Sequence, residues 1–299
     1  MEIPSPSKSS NPFTASDELM DLQTSTPSEE DVKRREAQVI RFNSTMGAIQ
    51  SNSKFYLGLP KEIFEVVHLL SERAAGNIRE IFIVLKKIKL NDPFTRISID
   101  FGVSAVRIHQ IFTEHVPKIA TVLQNLIFWP TPRMIKRTTP IPFRRRYSKV
   151  QSIIDCFEIE IEKPSNPLHQ SLTWSEYKKC NTVKYLLSCC PNGFINFVSK
   201  GYAGRASDKE IVQKSQFLNK LPEQAWVMAD RGFKHIVPLL LKKKCTLVRP
   251  PSVSADVPST SSDVMESKRI ASLRIHVERV IQRIREFNLL ICYVTVLML

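Results

Sequence analysis

Residues 150–162 read VQSIIDCFEIEIE, and the reading of the whole chain starts from them. Ile153, Ile154, Cys156, Phe157, Ile159 and Ile161 form a short β-branched and aromatic run, which predicts a strand. Asp155 lies inside that run, where a carboxylate is costly to desolvate unless it is paired or bound to a cation. Read alone, it is equally a strand-end Asp facing solvent. Glu158, Glu160 and Glu162 alternate on the face opposite Asp155, and a solvated face is expected there.

Working outward, the downstream pattern is mixed. Strand-like TVKYLLSCC (182–190) meets a Pro191-Asn192-Gly193 turn and FINFVSKGY (194–202). A helix opened by Ser207-Asp208 follows, then AWVMAD (225–230), a helix HIVPLLLKKK (235–244), TLVRP (246–250) and a long terminal helix. This alternation predicts an α/β domain over 151–299. Between Pro250 and Ser267 the turn formers of PPSVSADVPSTSSDVMES predict a flexible loop.

Two further carboxylates join Asp155. Asp230 closes the strand AWVMAD and precedes Arg231-Gly232, so alone it reads as a turn residue or a helix cap. Glu278 lies in SKRIASLRIHVERVIQRIREF (267–287), beside an expected core stripe of Ile270, Leu273, Val277, Ile281 and Ile284. With Arg274 one turn away, it reads alone as half of an ordinary surface ion pair. Those separate readings do not predict Asp, Asp and Glu in order on successive elements of one domain. If the three converge, hard divalent cations suit them, Mg²⁺ or Mn²⁺, with two ions expected for phosphodiester displacement. Asp208 is an auxiliary candidate, also explained as a helix N-terminal residue. His276 falls on a different face of the helix from Glu278, as a substrate contact or a surface residue.

Upstream, residues 54–128 have helical spacing throughout. Within them PFTRISIDFGVSAVRIHQIF (93–112) has the grammar of a helix-turn-helix: a helix, a turn at Gly102, buried Val103, then Ser104 as N-cap of a second helix. That second helix would offer Ala105, Arg107, His109 and Gln110, after Ser104, to a DNA groove. Residues 129–150 read as a basic linker, in which four prolines oppose regular helix and Arg133, Lys136, Arg137, Arg144, Arg145, Arg146 and Lys149 gather without an acid. Phosphate tracking, a nuclear-import patch and a solvated spacer all fit that run. Residues 1–50 are expected to be a disordered tail, with Ser, Pro, Thr and acidic groups dense up to about residue 35.

Composition narrows the partners. The chain has 299 residues, 42% of them hydrophobic, enough for one large domain or two modest ones. A net charge of +14 and a pI near 9.6 favour a polyanion, and nucleic acid first. The six cysteines have no zinc or disulfide spacing, so a reducing compartment is expected. No stretch suits a membrane span, and the apolar LLICYVTVLML (289–299) reads as a buried strand or helix.

At these residues the sequence resembles the Harbinger-like DDE superfamily endonucleases, the transposases and transposase-derived proteins of animals. The resemblance runs from FYLGLP (55–60) through the helix-turn-helix, WPTP (129–132), Pro142-Phe143, PSNP (164–167) and TWSEYKKCNTVKYLL (173–187). It continues through PNGFINFVSKGYAGRASDKEI (191–211), VMADRGF (227–233) and IASLRIHVERVIQRI (270–284). It implies an RNase H-like catalytic domain behind a helical DNA-binding module, with Asp155, Asp230 and Glu278 as catalytic metal ligands. The implied activity is DNA cleavage with strand transfer, in the nucleus, on transposon-end DNA, as a homo-oligomer or beside a separate DNA-binding protein. Two departures stand out: the upstream region has no Cys and His set for a zinc-dependent DNA-binding domain, and the chain stops soon after the Glu-bearing helix, as a truncated or frame-shifted member would. The alternative is therefore a domesticated or decayed transposase that binds DNA or recruits partners without catalysis. An RNA-directed nuclease is a third reading, because a fold does not specify its substrate.

Overall fold

The computed structural model describes residues 28–251 and 260–291. The Ser-Pro-rich start of the expected tail, residues 252–259 of the turn-former loop and most of the apolar end lie outside the described residues.

The first half is helical: α1 (Glu29–Ser51), α2 (Ser53–Leu57), α3 (Val66–Arg73), α4 (Ile78–Leu90), α5 (Phe94–Phe101) and α6 (Ala105–Leu123). Within the expected tail over 1–50, residues 29–50 are corrected by α1. Ser28 caps it by accepting from the Asp31 N–H, and Glu29, Glu30 and Asp31 place negative charge at its positive end. Its charged face is solvated while Phe42, Met46 and Ile49 join a core with Ile81, Phe82, Ile97, Phe101, Ile108 and Phe112. A reciprocal Asn77–Glu80 capping box starts α4. Gly102, at φ +60°, turns the chain between α5 and α6, and Ser104 caps α6 by accepting from the Arg107 N–H, as expected for those two residues.

The segment expected as an irregular linker contains α7 (Pro132–Thr138) and α8 (Ile141–Arg144). Pro132 and Pro142 stand in the first turn, where a missing N–H costs nothing and the fixed φ favours entry into a helix. Nor is the segment only a spacer. Phe143 is fully buried and Tyr147 nearly so, both in the core beneath the last helix.

The second half builds β1 (Val150–Glu160), α9 (Pro167–Thr173), β2 (Trp174–Ser175), β3 (Cys180–Cys189), β4 (Ile195–Val198), β5 (Tyr202–Ala203), α10 (Asp208–Lys214), α11 (Phe217–Lys220), β6 (Trp226–Met228), α12 (Val237–Lys242), β7 (Thr246–Val248) and α13 (Ser261–Arg285). The strand order is β2-β3-β1-β6-β7, with β4 and β5 also on β3. Strand β1 is antiparallel to β3 and parallel to β6, and β6 is parallel to β7. Ile153, Phe157 and Ile159 face α13, whereas Ile154 faces Ile211, Val212, Phe233, Ile236 and Leu240. Burial on both faces explains why apolar residues of β1 fall on both sides of the strand.

A Thr260–Asp263 capping box opens α13 at Ser261, inside the expected loop. Ile270, Leu273, Val277, Val280 and Ile281 form its buried stripe. Past α13 the chain turns back onto the helical half. Lys89 Nζ donates to the Glu286 carbonyl at 2.6 Å, Asn288 donates to the Leu90 carbonyl at 3.3 Å, and Leu289 packs into the helical core. Among the described residues, no helix is long and apolar enough to cross a membrane, and Cys156, Cys180, Cys189, Cys190 and Cys245 are free.

Candidate active site

Register puts the first two carboxylates side by side. The last parallel rung between β1 and β6 joins Ile153 to Met228. Asp155 and Asp230 each lie two residues beyond that rung. Side chains alternate with a period of two, so both inherit the face of Ile153 and Met228, the face that α13 covers. Beyond Met228 strand β6 has ended while β1 continues to Glu160, which leaves a notch at the carboxyl ends of the parallel strands. Open α/β sheets bind ligands at that end.

The third carboxylate arrives on α13 with a cation. Arg274 and Glu278 are one helical turn apart, so both reach the notch once the Val277 stripe is buried. The Arg274 guanidinium lies among all three acids. Its Nη1 donates to Asp230 Oδ1 at 3.1 Å, and its Nη2 is 3.8 Å from Asp155 Oδ2 and 4.0 Å from Glu278 Oε1. The Arg274 side chain is only 11% exposed, Asp155 25%, Asp230 52% and Glu278 57%. Asp230 stands at the N-cap position of the turn Arg231–Ile236 but makes no capping bond. It serves the notch instead.

Burial pushes the Asp155 carboxyl up to about 6; Arg274 and the Cys156 N–H, which donates to Oδ1 at 2.9 Å, pull it down, while Asp230 and Asp208 push it further up. The three acids and Arg274 line a cleft of about 600 Å³ shared with Glu158, Lys184, Asp208, Tyr177 and Lys178. Asp208 is the first residue of α10 and pairs with Lys184 at 2.8 Å, so its helix-terminal and cleft-lining descriptions both hold. Glu158 is not solvated as expected. It accepts from Thr182 at 2.9 Å and lies 3.8 Å from Lys184, its cross-strand partner. Burial alone would lower the Lys184 ammonium, but Asp208 and its other anionic neighbours raise it.

A larger hollow, about 780 Å³, lies among α1, α4 and α5, where buried Lys86 pairs with Asp100 and, at 3.5 Å, with Asp92. Those acids are committed to Lys86.

The donor chemistry of the notch suits a hard divalent ion, and a cation of the protein's own already stands among the carboxylates. In this arrangement, however, no three His, Cys, Asp or Glu side chains among the described residues gather closely enough to hold one ion.

The other expected residues are dispersed. Arg107 pairs with Glu80 at 3.3 Å, His109 sets its edge against the Phe94 ring, and Gln110 is exposed. Arg133, Arg137 and Arg145 are exposed, Arg144 donates to the Thr139 carbonyl, and Arg146 lies 3.5 Å from Glu266 of α13. His276 packs against Phe143, with ring centres 5.7 Å apart, and burial and Arg279 lower its basicity. Sequence reading missed Lys184, which reaches the cleft through pairing of β3 with β1, and Tyr177 in the turn between β2 and β3, and treated Arg274 as an ordinary helical partner.

Residues 154–298 match the family model described as DDE superfamily endonuclease. The match to this superfamily begins one residue before Asp155 and contains Asp230, Arg274 and Glu278. No curated protein and no solved structure matches the chain.

Proposed function

We propose that this protein is a divalent-metal-dependent DNA endonuclease of the transposase type, in which Asp155, Asp230 and Glu278 hold the metal. One observation carries the reading: three carboxylates, two of them just past the last parallel rung of β1 and β6 and one on a later helix, surround the Arg274 guanidinium, inside the region that matches DDE superfamily endonucleases. The order β4-β3-β1-β6-β7, three antiparallel strands followed by two parallel ones, supports an RNase H-like domain. The Gly102 turn and the Ser104 cap support a helix-turn-helix module of the Harbinger-like kind.

A bound divalent ion would supply charge stabilisation at the reacting phosphodiester oxygens. The chain supplies the rest. Asp155, fixed by its strand and by the Cys156 N–H, is the rigid ligand; Asp230 and Glu278, each about half exposed, have room to adjust. Lys184 pairs with Asp208 and Glu158 and offsets part of the negative charge these two anions add beside the trio. Exposed Arg133, Arg137 and Arg145 offer positive charge to a phosphate backbone in the nucleus, the compartment this substrate requires. The test is cleavage of DNA carrying flanking repeats, with Mg²⁺ or Mn²⁺, beside Asp230→Ala and Glu278→Ala. Cleavage lost in both variants supports the reading; wild-type cutting no better than Asp230→Ala ends it.

One observation favours a second reading, a DNA-binding protein without catalysis: the carboxylates are gathered on an arginine and not closely enough on one another to share an ion. That reading expects salt-dependent DNA affinity unchanged by Asp155→Ala and no melting shift with metal. Parallel binding to duplex DNA and RNA separates either reading from an RNA-directed nuclease.

A further inference from the structure

Arg274 is out of character for a surface ion-pair partner. Its side chain is 11% exposed, both terminal nitrogens turn to carboxylates, and its Nε is buried without any hydrogen-bond partner. A buried donor left unpaired is unfavourable, so the side chain is held here by the acids rather than by a complete network of its own. Lys184, on the other side of the cleft, cannot take its place, being committed to Asp208 at 2.8 Å and Glu158 at 3.8 Å.

We propose that Arg274 is the resident counter-cation of the carboxylate notch, a positioning residue that holds Asp155, Asp230 and Glu278 around one point and that a divalent ion must displace to bind. The inference rests on the metal-binding reading of the trio and adds a competition to it. Three anions brought to one cleft repel one another unless a cation is present. The guanidinium meets that need, but at its own spacing. Its distances of 3.1 to 4.0 Å hold the oxygens wider than the roughly 2.0 to 2.1 Å that Mg²⁺ demands. Guanidinium and metal therefore exclude each other, and the same side chain that assembles the site opposes its loading. Asp230 and Glu278 are exposed enough to follow the smaller ion inward as Arg274 swings toward the open cleft.

The experiment is Mn²⁺ titration of the full chain, free of DNA, followed by melting temperature and by the electron paramagnetic resonance signal of free Mn²⁺. The proteins are wild type, R274Q, R274K and D155N. Two results are expected of R274Q: half-saturation at about tenfold lower Mn²⁺ than wild type, within the usual range of site coupling, and a melting temperature in EDTA below that of wild type. R274K keeps one charge but cannot bridge three carboxylates, so it shifts both readouts in the same directions by less; if R274Q does not fold, R274K carries the test. Mn²⁺ binding by wild type that D155N abolishes, with R274Q and R274K binding no more tightly than wild type, overturns the competition and leaves the metal site standing. No Mn²⁺ response that depends on Asp155, in wild type or in either Arg274 variant, overturns both.

Discussion

Tyr147 shows how much a single side chain from the basic segment contributes beneath the site. Its ring is buried under α13 and its hydroxyl donates to Glu266 at 2.5 Å, in a cluster with Arg146 and Arg269. Burial first, then Glu266, pushes the phenol up to about 12. The unfolded phenol titrates near 10, so between about pH 10 and 12 the unfolded chain loses a proton that the native chain keeps, and stability falls as pH rises. Tyr147→Phe is expected to cost about 1 kcal/mol at neutral pH by urea unfolding, the worth of one hydrogen bond. Its deficit against wild type should hold up to about pH 10, then shrink and reverse sign before pH 12; a deficit that stays constant to pH 12 contradicts the buried phenol. At this scale the sequence was only half legible. Asp155 announced itself by standing inside an apolar strand and Asp230 by closing one, but nothing local marks Arg274 as the centre of three acids, because two of its partners lie far from it in the chain.

The elements that were misread have two causes, a sparse apolar period in one and the position of proline in the others. In α1 most residues are exposed, the first turns are largely charged, and the few that pack, Phe42, Met46 and Ile49, come late in it, so the sequence carries too little apolar period to separate helix from tail. In α7 and α8 the prolines were read as breakers although first-turn positions welcome them. By contrast α13 was legible, since its buried stripe recurs at three- and four-residue spacing over the sheet. How the end of α13 is tied down was not. Gly58, at φ +76°, follows α2, and a Cβ added there would meet the Phe287 ring at 2.5 Å. Gly58→Ala should therefore destabilise by about 1 to 3 kcal/mol in urea unfolding, from left-handed strain plus the displaced ring. Adding Phe287→Ala should cost less in that background than in wild type, because the clash is already gone. Strict additivity would place Phe287 away from Gly58.

On the scale of the whole molecule, charge is the dominant sequence signal, and the structure shows where it is unspent. The net charge is +14, yet Arg107, Arg146, Lys184 and Arg274 are committed to acids. Arg133, Arg137 and Arg145 remain exposed on and after the two short helices that join the halves. Replacing all three with Ala should flatten the dependence of log duplex-DNA affinity on log salt by about 0.9 for each phosphate that the protein no longer neutralises. Fluorescence anisotropy across a salt series measures this, and an unchanged slope would move the phosphate path elsewhere. The α/β order, the Gly102 turn and the basic join were readable in sequence because each depends on neighbours in the chain; the docking of the terminal turn on α4 was not, because Lys89 and Glu286 are nearly two hundred residues apart. That docking makes α13 a tie rod. The helix has 25 residues, a span of about 37 Å, pinned to the sheet along its middle and to the helical half at its end. Glu278 rides on that rod, so any displacement of the helical half is delivered to the carboxylate through the body of the helix.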